Sequence, residues 1–339
     1  MTTMKSIRSA IAIAGLSGVV GMSPVLAAGE GPQIARQKWA FSGPGGHFDQ
    51  AQLQRGFQVY KEVCAACHSL KRVAFRNLSQ KGGPEFPEDR VRGLAASWPN
   101  QVPARSETGE TAVAARDKDG RITGVRYVTR PPMLSDRIPA PYKNEDEARS
   151  IHGGAYPPDL SLMAKGRNTE YHGGVLYHPV SMLKDIVTAY QEGGADYLYA
   201  LLTSYKDKAP AYRREGNRLV EVANVTDEKS VMRCASVDKG EAGRPDNCNT
   251  MADAMHYNTA YSGAQIAMAQ PLRDGQVKYS DGTAGTMSNY AKDVSAFLHW
   301  AADPSHDERK RMGWQVLLYL LVTSILLYIA KKRIWRDAH

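Results

Sequence analysis

The chain has 339 residues and a formal net charge of +8. Nine of its basic residues lie within the first eight and the last 31 positions, where a single aspartate opposes them, so the two ends account for the whole excess. The stretch between them is formally neutral, which excludes a basic surface typical of nucleic-acid binding.

The N-terminus has the order of a secretory signal peptide. A short basic segment precedes a run of small and aliphatic residues at 10–21, and the next small residues end at Ala27 and Ala28. We predict that residues 1–28 are cleaved after Ala27 or Ala28 and that residues 29–311 form an exported domain. The alternative is a retained anchor, although the apolar run is shorter than the roughly 20 residues that span a bilayer.

An amphipathic helix is predicted in the N-terminal part of the exported domain. Asp49 is a suitable N-cap, and Gly56 is typical of a point where a second helix packs closely. One face of the helix is apolar, and it consists of Leu53, Phe57, Tyr60, Val63 and Cys64.

The helix leads into the motif Cys64-Ala65-Ala66-Cys67-His68. Two thiols three positions apart can each add to a vinyl group of the same haem, and the following imidazole then lies under the iron. A zinc half-site would need two more matched ligands, and a thioredoxin-like CxxC pair begins a helix rather than following one. Export together with this motif therefore predicts one covalently bound haem c, with His68 as an iron ligand.

The middle of the domain is predicted to be rich in loops. Residues 122–128 partly alternate after the turn at 118–120, which indicates a short hairpin. The acidic run at 145–147 suits the first turn of a helix capped by Asn144. A docking patch for a basic partner is the second interpretation of that run.

The other two cysteines, Cys234 and Cys248, form a candidate disulfide in an oxidising compartment. The bridge would close a loop of about 15 residues, worth about 3 kcal/mol in the chain-entropy model. Two free thiols are the alternative.

Two methionines compete as the second iron ligand. Met268 lies in a loop with small neighbours, and Met287 lies just before the last helix of the domain. A His–Met pair closes the iron to other ligands and raises its potential, which suits electron transfer. The spacing alone leaves both open.

A final helix is predicted from a cap at Ser288 to the Asp303-Pro304 pair, with an apolar stripe through Tyr290, Val294 and Phe297. It is the expected partner of the helix that carries Gly56.

The C-terminal end predicts a single membrane span. Residues 312–330 contain no charge, and at 1.5 Å per residue they cover almost the whole hydrocarbon core. Basic residues in the tail of 331–339 and the positive-inside rule predict a cytoplasmic C-terminus. A buried helix of a soluble core is the alternative. The predicted location is a bacterial cell membrane, with the domain of 29–311 in the periplasm.

Taken together, these blocks resemble the cytochrome c1 family of the cytochrome bc1 complex. The resemblance covers the chain from about Ala51 to the C-terminus, in the family's order. The matching blocks are residues 53–70, 130–149, 153–167, 193–205, 266–272 and 281–313.

The resemblance implies a mainly α fold, namely a class I-like cytochrome c haem domain with long loop insertions plus one C-terminal transmembrane helix. It implies that Met268 is the axial methionine, that Met287 is structural, and that Arg167 and Tyr197 face a haem propionate. It also implies that the Cys234–Cys248 disulfide steadies the methionine loop.

Two positions depart from the family's pattern. His152 stands where the family usually has asparagine, near the propionates, and Gln270 stands where a proline is common. The segments 168–192 and 210–258 are expected to be insertions.

The implied function is that of an electron-transfer subunit, without a catalytic site of its own, in quinol–cytochrome c reductase. The implied partners are cytochrome b, a Rieske iron–sulfur protein as donor, a soluble or anchored cytochrome c as acceptor, and membrane lipid, within a homodimeric complex. A haem enzyme with an open iron site and a membrane-anchored shuttle outside any complex are the rival hypotheses.

Overall fold

The computed structural model describes residues 32, 34–104, 112–167, 183–185, 188, 190, 192–216, 218–239 and 245–336. The predicted signal peptide lies outside these residues, as do most of the 168–192 insertion and the last three positions of the tail. The described α-helices are α1 (Gln50–Glu62), α2 (Glu88–Ala96), α3 (Glu145–Ile151), α4 (Met163–Gly166), α5 (Gly193–Thr203), α6 (Met287–Ala302) and α7 (His306–Ile334).

The strands are short and lie in the loops between these helices. β1 (Val102–Pro103) pairs with β4 (Thr129–Arg130), and β2 (Ala112–Arg116) forms a hairpin with β3 (Ile122–Tyr127), which confirms the predicted hairpin. The remaining strands are β5 (Ala211–Glu215), β6 (Arg218–Glu221), β7 (Met232–Lys239), β8 (Pro245–Thr250), β9 (His256–Tyr257) and β10 (Gln265–Ile266). β9 and β10 form an antiparallel pair.

The second insertion holds a four-stranded antiparallel sheet in the order β6-β5-β7-β8, which the sequence did not predict. The strands pair with each other through registers such as Tyr212 with Glu221 and Val237 with Cys248. A disulfide joins Cys234 on β7 to Cys248 on β8, so the predicted bridge is confirmed.

The centre of the domain is the crossing of α1 and α6, as the sequence predicted. A Cβ atom at Gly56 would overlap the carbonyl oxygen of Asp293 and press on the side chain of Phe297. Phe57 packs edge-to-face on Phe297, with ring centroids 5.6 Å apart. These aromatic side chains are almost fully buried, and each contributes about 2–3 kcal/mol to folding by the area it removes from water.

The helix caps agree with the predictions at two of three positions. The Asp49 side chain accepts from the N–H groups of Ala51 and Gln52, and Asn144 accepts from Glu147. The cap at Ser288 was wrong, because α6 begins at Met287 and the Thr286 side chain caps it.

Within the described residues, α7 is the one helix long and apolar enough to cross a membrane, and none of its apolar window is buried. It starts six residues before the predicted span, at the buried His306. Asp307 in its first turn accepts from the backbone N–H of Phe48 at 3.0 Å. The helix is therefore joined to the domain before it reaches the span.

Candidate functional site: the CxxCH turn and its surroundings

The two motif cysteines lie on one tight turn at the end of α1. The segment Cys64–Ala66 is a 3-10 helix, in which the Cys64 carbonyl accepts from the N–H groups of Cys67 and His68 at 3.1 and 2.8 Å. Both thiols are free and half-buried. Burial, followed by the neighbouring Cys67, raises the pKa of the Cys64 thiol to about 12. The turn thus presents two free thiols, and that of Cys64 is protonated at neutral pH.

His68 is held by hydrogen bonds at both its backbone and its ring. The Tyr60 hydroxyl donates to the His68 carbonyl at 3.1 Å, and Nδ1 of the ring lies 2.9 Å from the carbonyl oxygen of Pro158. That oxygen can only accept, so Nδ1 carries the proton and Nε2 keeps its lone pair. Burial lowers the pKa of His68. A neutral imidazole with Nε2 available is the form that binds a metal.

The loop that supplies Pro158 is fixed against the motif by Asp159. Its carboxylate accepts from the Ser69 hydroxyl and the Lys71 N–H, each at 2.8 Å, while the Ser161 hydroxyl accepts from the Arg72 N–H. Burial favours a higher pKa for Asp159, but these hydrogen bonds outweigh it and lower the pKa. Sequence reasoning missed Pro158 and Asp159, since only the fold places them there.

His152 is connected to the CxxCH turn through Tyr142. Its Nε2 is 2.6 Å from the Tyr142 hydroxyl, and the same hydroxyl lies 3.4 Å from the carbonyl oxygen of Ala66. The described hydrogen bonds therefore place His152 beside the CxxCH turn, as a polar neighbour of the motif.

Met268 lies in the segment 267–272, here called the methionine loop. The Tyr205 hydroxyl donates to the Met268 carbonyl at 3.0 Å, and Gln270 Nε2 lies 3.2 Å from the sulfur of Met287. Met287 thus acts as a support for the loop.

The disulfide-bearing sheet reaches the methionine loop through Gln265. The Gln265 side chain donates to the carbonyl of Thr250, the last residue of β8, at 3.3 Å. It also accepts from the Ala252 N–H at 2.9 Å. Because Gln265 begins the strand that ends just before the loop, the sheet limits where the loop can lie.

Arg167 and Tyr197 come together on neighbouring helices. Arg167 caps the C-terminus of α4 through its N–H, and Tyr197 lies in α5. Burial raises the pKa of the Tyr197 phenol, while the nearby Arg167 guanidinium acts in the opposite direction. The pair combines a cation with a hydroxyl, which suits a carboxylate.

These residues fit a covalently bound haem. The turn offers two free thiols three positions apart. His68 offers a neutral nitrogen with its ring fixed by Pro158, and the Arg167–Tyr197 pair can receive a carboxylate. Among the described residues, no group of three or more His, Cys, Asp or Glu side chains could hold a metal ion on its own.

Comparison with known proteins agrees with this chemistry. The family model described as the Cytochrome C1 family matches residues 39–338. The chain belongs to the cytochrome c1 family. A cytochrome c1 from Blastochloris viridis is 38% identical over 308 residues, which cover 91% of this chain and 88% of the relative. A mitochondrial "Cytochrome c1, heme protein" from Saccharomyces cerevisiae is 35% identical, covering 91% of this chain and 74% of the relative.

Membership of the cytochrome c1 family makes this chain a membrane-anchored electron-transfer subunit with one covalently bound haem c. A third relative, "Cytochrome b/c1" from Bradyrhizobium diazoefficiens, is 36% identical over 89% of this chain, which spans 35% of that longer protein. The mainly helical expectation agrees with the core, whereas the class I-like form of the haem domain stays a prediction.

Proposed function

We propose that this chain carries electrons from a Rieske iron–sulfur protein to a soluble or anchored cytochrome c within quinol–cytochrome c reductase. The observation that carries the proposal is the CxxCH turn, whose His68 is neutral and fixed by the Pro158 carbonyl. The Bradyrhizobium relative, whose name joins cytochrome b to c1, supports cytochrome b as the membrane partner. The two cytochrome c1 subunits of a homodimeric complex would each carry one haem.

In this proposal Cys64 and Cys67 hold the haem through thioether bonds, and His68 Nε2 and the Met268 sulfur bind its iron. The haem supplies a one-electron couple, and a closed His–Met ligand set suits electron transfer rather than substrate binding. The residues of the chain have a positioning role: Pro158 fixes the imidazole, and Tyr205 fixes the backbone of Met268.

Arg167 and Tyr197 are proposed to bind a haem propionate. A carboxylate that leaves water needs a cation or hydrogen-bond donors, and this pair supplies both kinds of group. No proton transfer by a side chain is required, since only an electron moves.

The proposed topology places residues 29–311 in the periplasm, 312–330 in the lipid and 331–339 in the cytoplasm. The Lys331–Arg336 cluster at the end of α7 supports a cytoplasmic C-terminus by the positive-inside rule. Accessibility of a cysteine introduced at Asp337 to an impermeant thiol reagent in intact spheroplasts would contradict this orientation.

The test of the function is reduction of the haem by an added quinol in gently solubilised native membranes. Rapid reduction of a c-type haem on this polypeptide, blocked by a quinol-oxidation-site inhibitor, is the expected result. If the haem is reduced only by a strong chemical reductant, in an otherwise active preparation, the chain is not a subunit of quinol–cytochrome c reductase.

The ligand assignment has its own test, with Met287 as the matched control. Met268→Leu is expected to lower the midpoint potential sharply and to let the iron bind carbon monoxide. Met287→Leu, which removes only the sulfur contact with Gln270, is expected to leave the iron closed to carbon monoxide. Carbon monoxide binding by the unsubstituted protein would favour the haem-enzyme hypothesis, and an unchanged Met268→Leu spectrum would disprove the ligand assignment.

A further inference from the structure

A fully buried carboxyl group on α5 joins two distant parts of the chain. Asp196 Oδ1 accepts from the backbone N–H of Gln37 at 2.9 Å and from the Trp39 indole N–H at 2.7 Å. Its Oδ2 accepts from the Tyr190 hydroxyl at 2.6 Å. None of these contacts belongs to the CxxCH turn or to the methionine loop.

Two of the three donors, those of Gln37 and Trp39, hold residues 36–41, here called the N-terminal strap, against α5. Arg36 lies over the Tyr190 ring, 3.7 Å from its centroid, and Trp39 stacks on Phe41 at 5.3 Å. Leaving a buried acceptor without its donors is unfavourable, because the acceptor has lost water and gains nothing in exchange. The carboxyl group therefore specifies one position of the strap relative to the first turn of α5.

The same first turn of α5 is pressed against α4. A Cβ atom at Gly194 would overlap the backbone carbonyl oxygen of Ala164, so the two backbones are in direct contact. α4 ends at Gly166, so Arg167 follows it directly, and the residue after Asp196 is Tyr197. The turn that carries Asp196 thus lies between the strap on one side and the backbone that leads into Arg167 on the other.

We propose that Asp196 is a positioning residue that sets the geometry of the Arg167–Tyr197 pair and thereby the electrostatic environment of the haem. This inference rests on the proposed function, in which that pair binds a propionate. A positive charge close to the propionate stabilises the reduced haem relative to the oxidised haem, because the reduced form carries one more electron. Releasing the first turn of α5 lets the Arg167–Tyr197 pair move away, so the midpoint potential falls.

The experiment is a redox titration of the haem in the intact, solubilised complex carrying Asp196→Asn. The expected result is a lowered potential with normal haem content, together with faster tryptic cleavage in the strap at Arg36 or Lys38. Lys292→Gln is the matched control, because Lys292 lies 6.0 Å from the Trp39 ring without bonding to Asp196, and it is expected to leave the potential unchanged.

The double variant Asp196→Asn with Arg167→Gln tests whether Asp196 acts through Arg167. Its potential should equal that of Arg167→Gln alone, whereas additive shifts would overturn the proposal. If Asp196→Asn does not accumulate, Trp39→Phe takes its place, since it keeps an aromatic ring and removes one donor to Asp196.

Two further results would be decisive. A strap that is cleaved faster while the potential is unchanged in both Asp196→Asn and Trp39→Phe would mean that Asp196 has only a structural role. An unchanged potential in Arg167→Gln itself would instead remove the propionate assignment, and this proposal with it. The single Arg167 variant therefore separates failure of the proposed function from failure of the role of Asp196.

Discussion

His299 provides the sharpest test of the domain's electrostatics. The ring is fully buried, it stacks on Phe41 with centroids 4.7 Å apart, and neither ring nitrogen has a hydrogen-bond partner among the described residues. Burial, then His306 and the cations Lys165 and Lys310, lowers the pKa of His299 to about 3, and only Asp303 opposes them. The folded chain therefore resists protonation of this ring.

The sign of the pH dependence follows from where the proton binds first. Below about pH 6.5 the unfolded chain protonates this histidine and the folded chain does not, so stability present at neutral pH is lost as the pH falls towards 3. The difference between pKa values of 6.5 and about 3 corresponds to a loss of at most about 5 kcal/mol in the free energy of unfolding. About 2 kcal/mol of this loss falls between pH 7 and pH 5.

The perturbation is His299→Phe, which keeps the ring stack and removes the titration. The assay is denaturant unfolding of the detergent-solubilised holoprotein, followed by haem absorbance at pH 7, 6 and 5. The unsubstituted protein should lose about 2 kcal/mol more than His299→Phe between pH 7 and pH 5. The exposed His47→Gln is the control and should follow the unsubstituted profile. Parallel profiles for all three proteins would refute the reasoning.

Three other outcomes are expected. Gly56→Ala should lower the free energy of unfolding by about 2–4 kcal/mol, because the new methyl group overlaps α6 at the helix crossing. Gly93 has open space around it, so Gly93→Ala should raise the free energy of unfolding by up to about 1 kcal/mol in the same thermal unfolding assay. Replacing Cys234 and Cys248 together with serine should cost about 3 kcal/mol and lower the haem potential, and an unchanged potential would separate the sheet from the methionine loop. Tyr205→Phe should cost about 1 kcal/mol and raise the rate at which added imidazole binds the iron, as measured by absorbance.

Local features of the domain were predictable from sequence because each depends on a few neighbouring residues. The Asp49 cap, the apolar face of α1 and the CxxCH turn need only helix periodicity and a motif. The packing role of Gly56 could also be foreseen, since a glycine on a helix face is typical of a close contact. The cap at Ser288 failed by two positions because Thr286 offers the same chemistry and the sequence does not separate them.

The long-range contacts could not be predicted in the same way. Pro158 reaches His68 across 90 positions, and a backbone carbonyl carries no side-chain signal of its own. Asp196 belongs to no recognisable motif, and two of its three donors lie more than 150 positions away along the chain. The sheet of the second insertion was missed because its strands are rich in charged residues and gain their stability from pairing and from the disulfide.

The early start of α7 has a mechanical consequence. The helix is anchored inside the domain by His306, Asp307 and Lys310, whose ammonium donates to the Phe41 carbonyl at 2.6 Å, and it continues into the span without a break. The haem domain is therefore joined to the membrane span by a continuous helix and not by a flexible loop. One residue inserted between 311 and 314 would turn the domain by about 100° and lift it by about 1.5 Å, so the length of the helix sets the orientation and the height of the domain above the span.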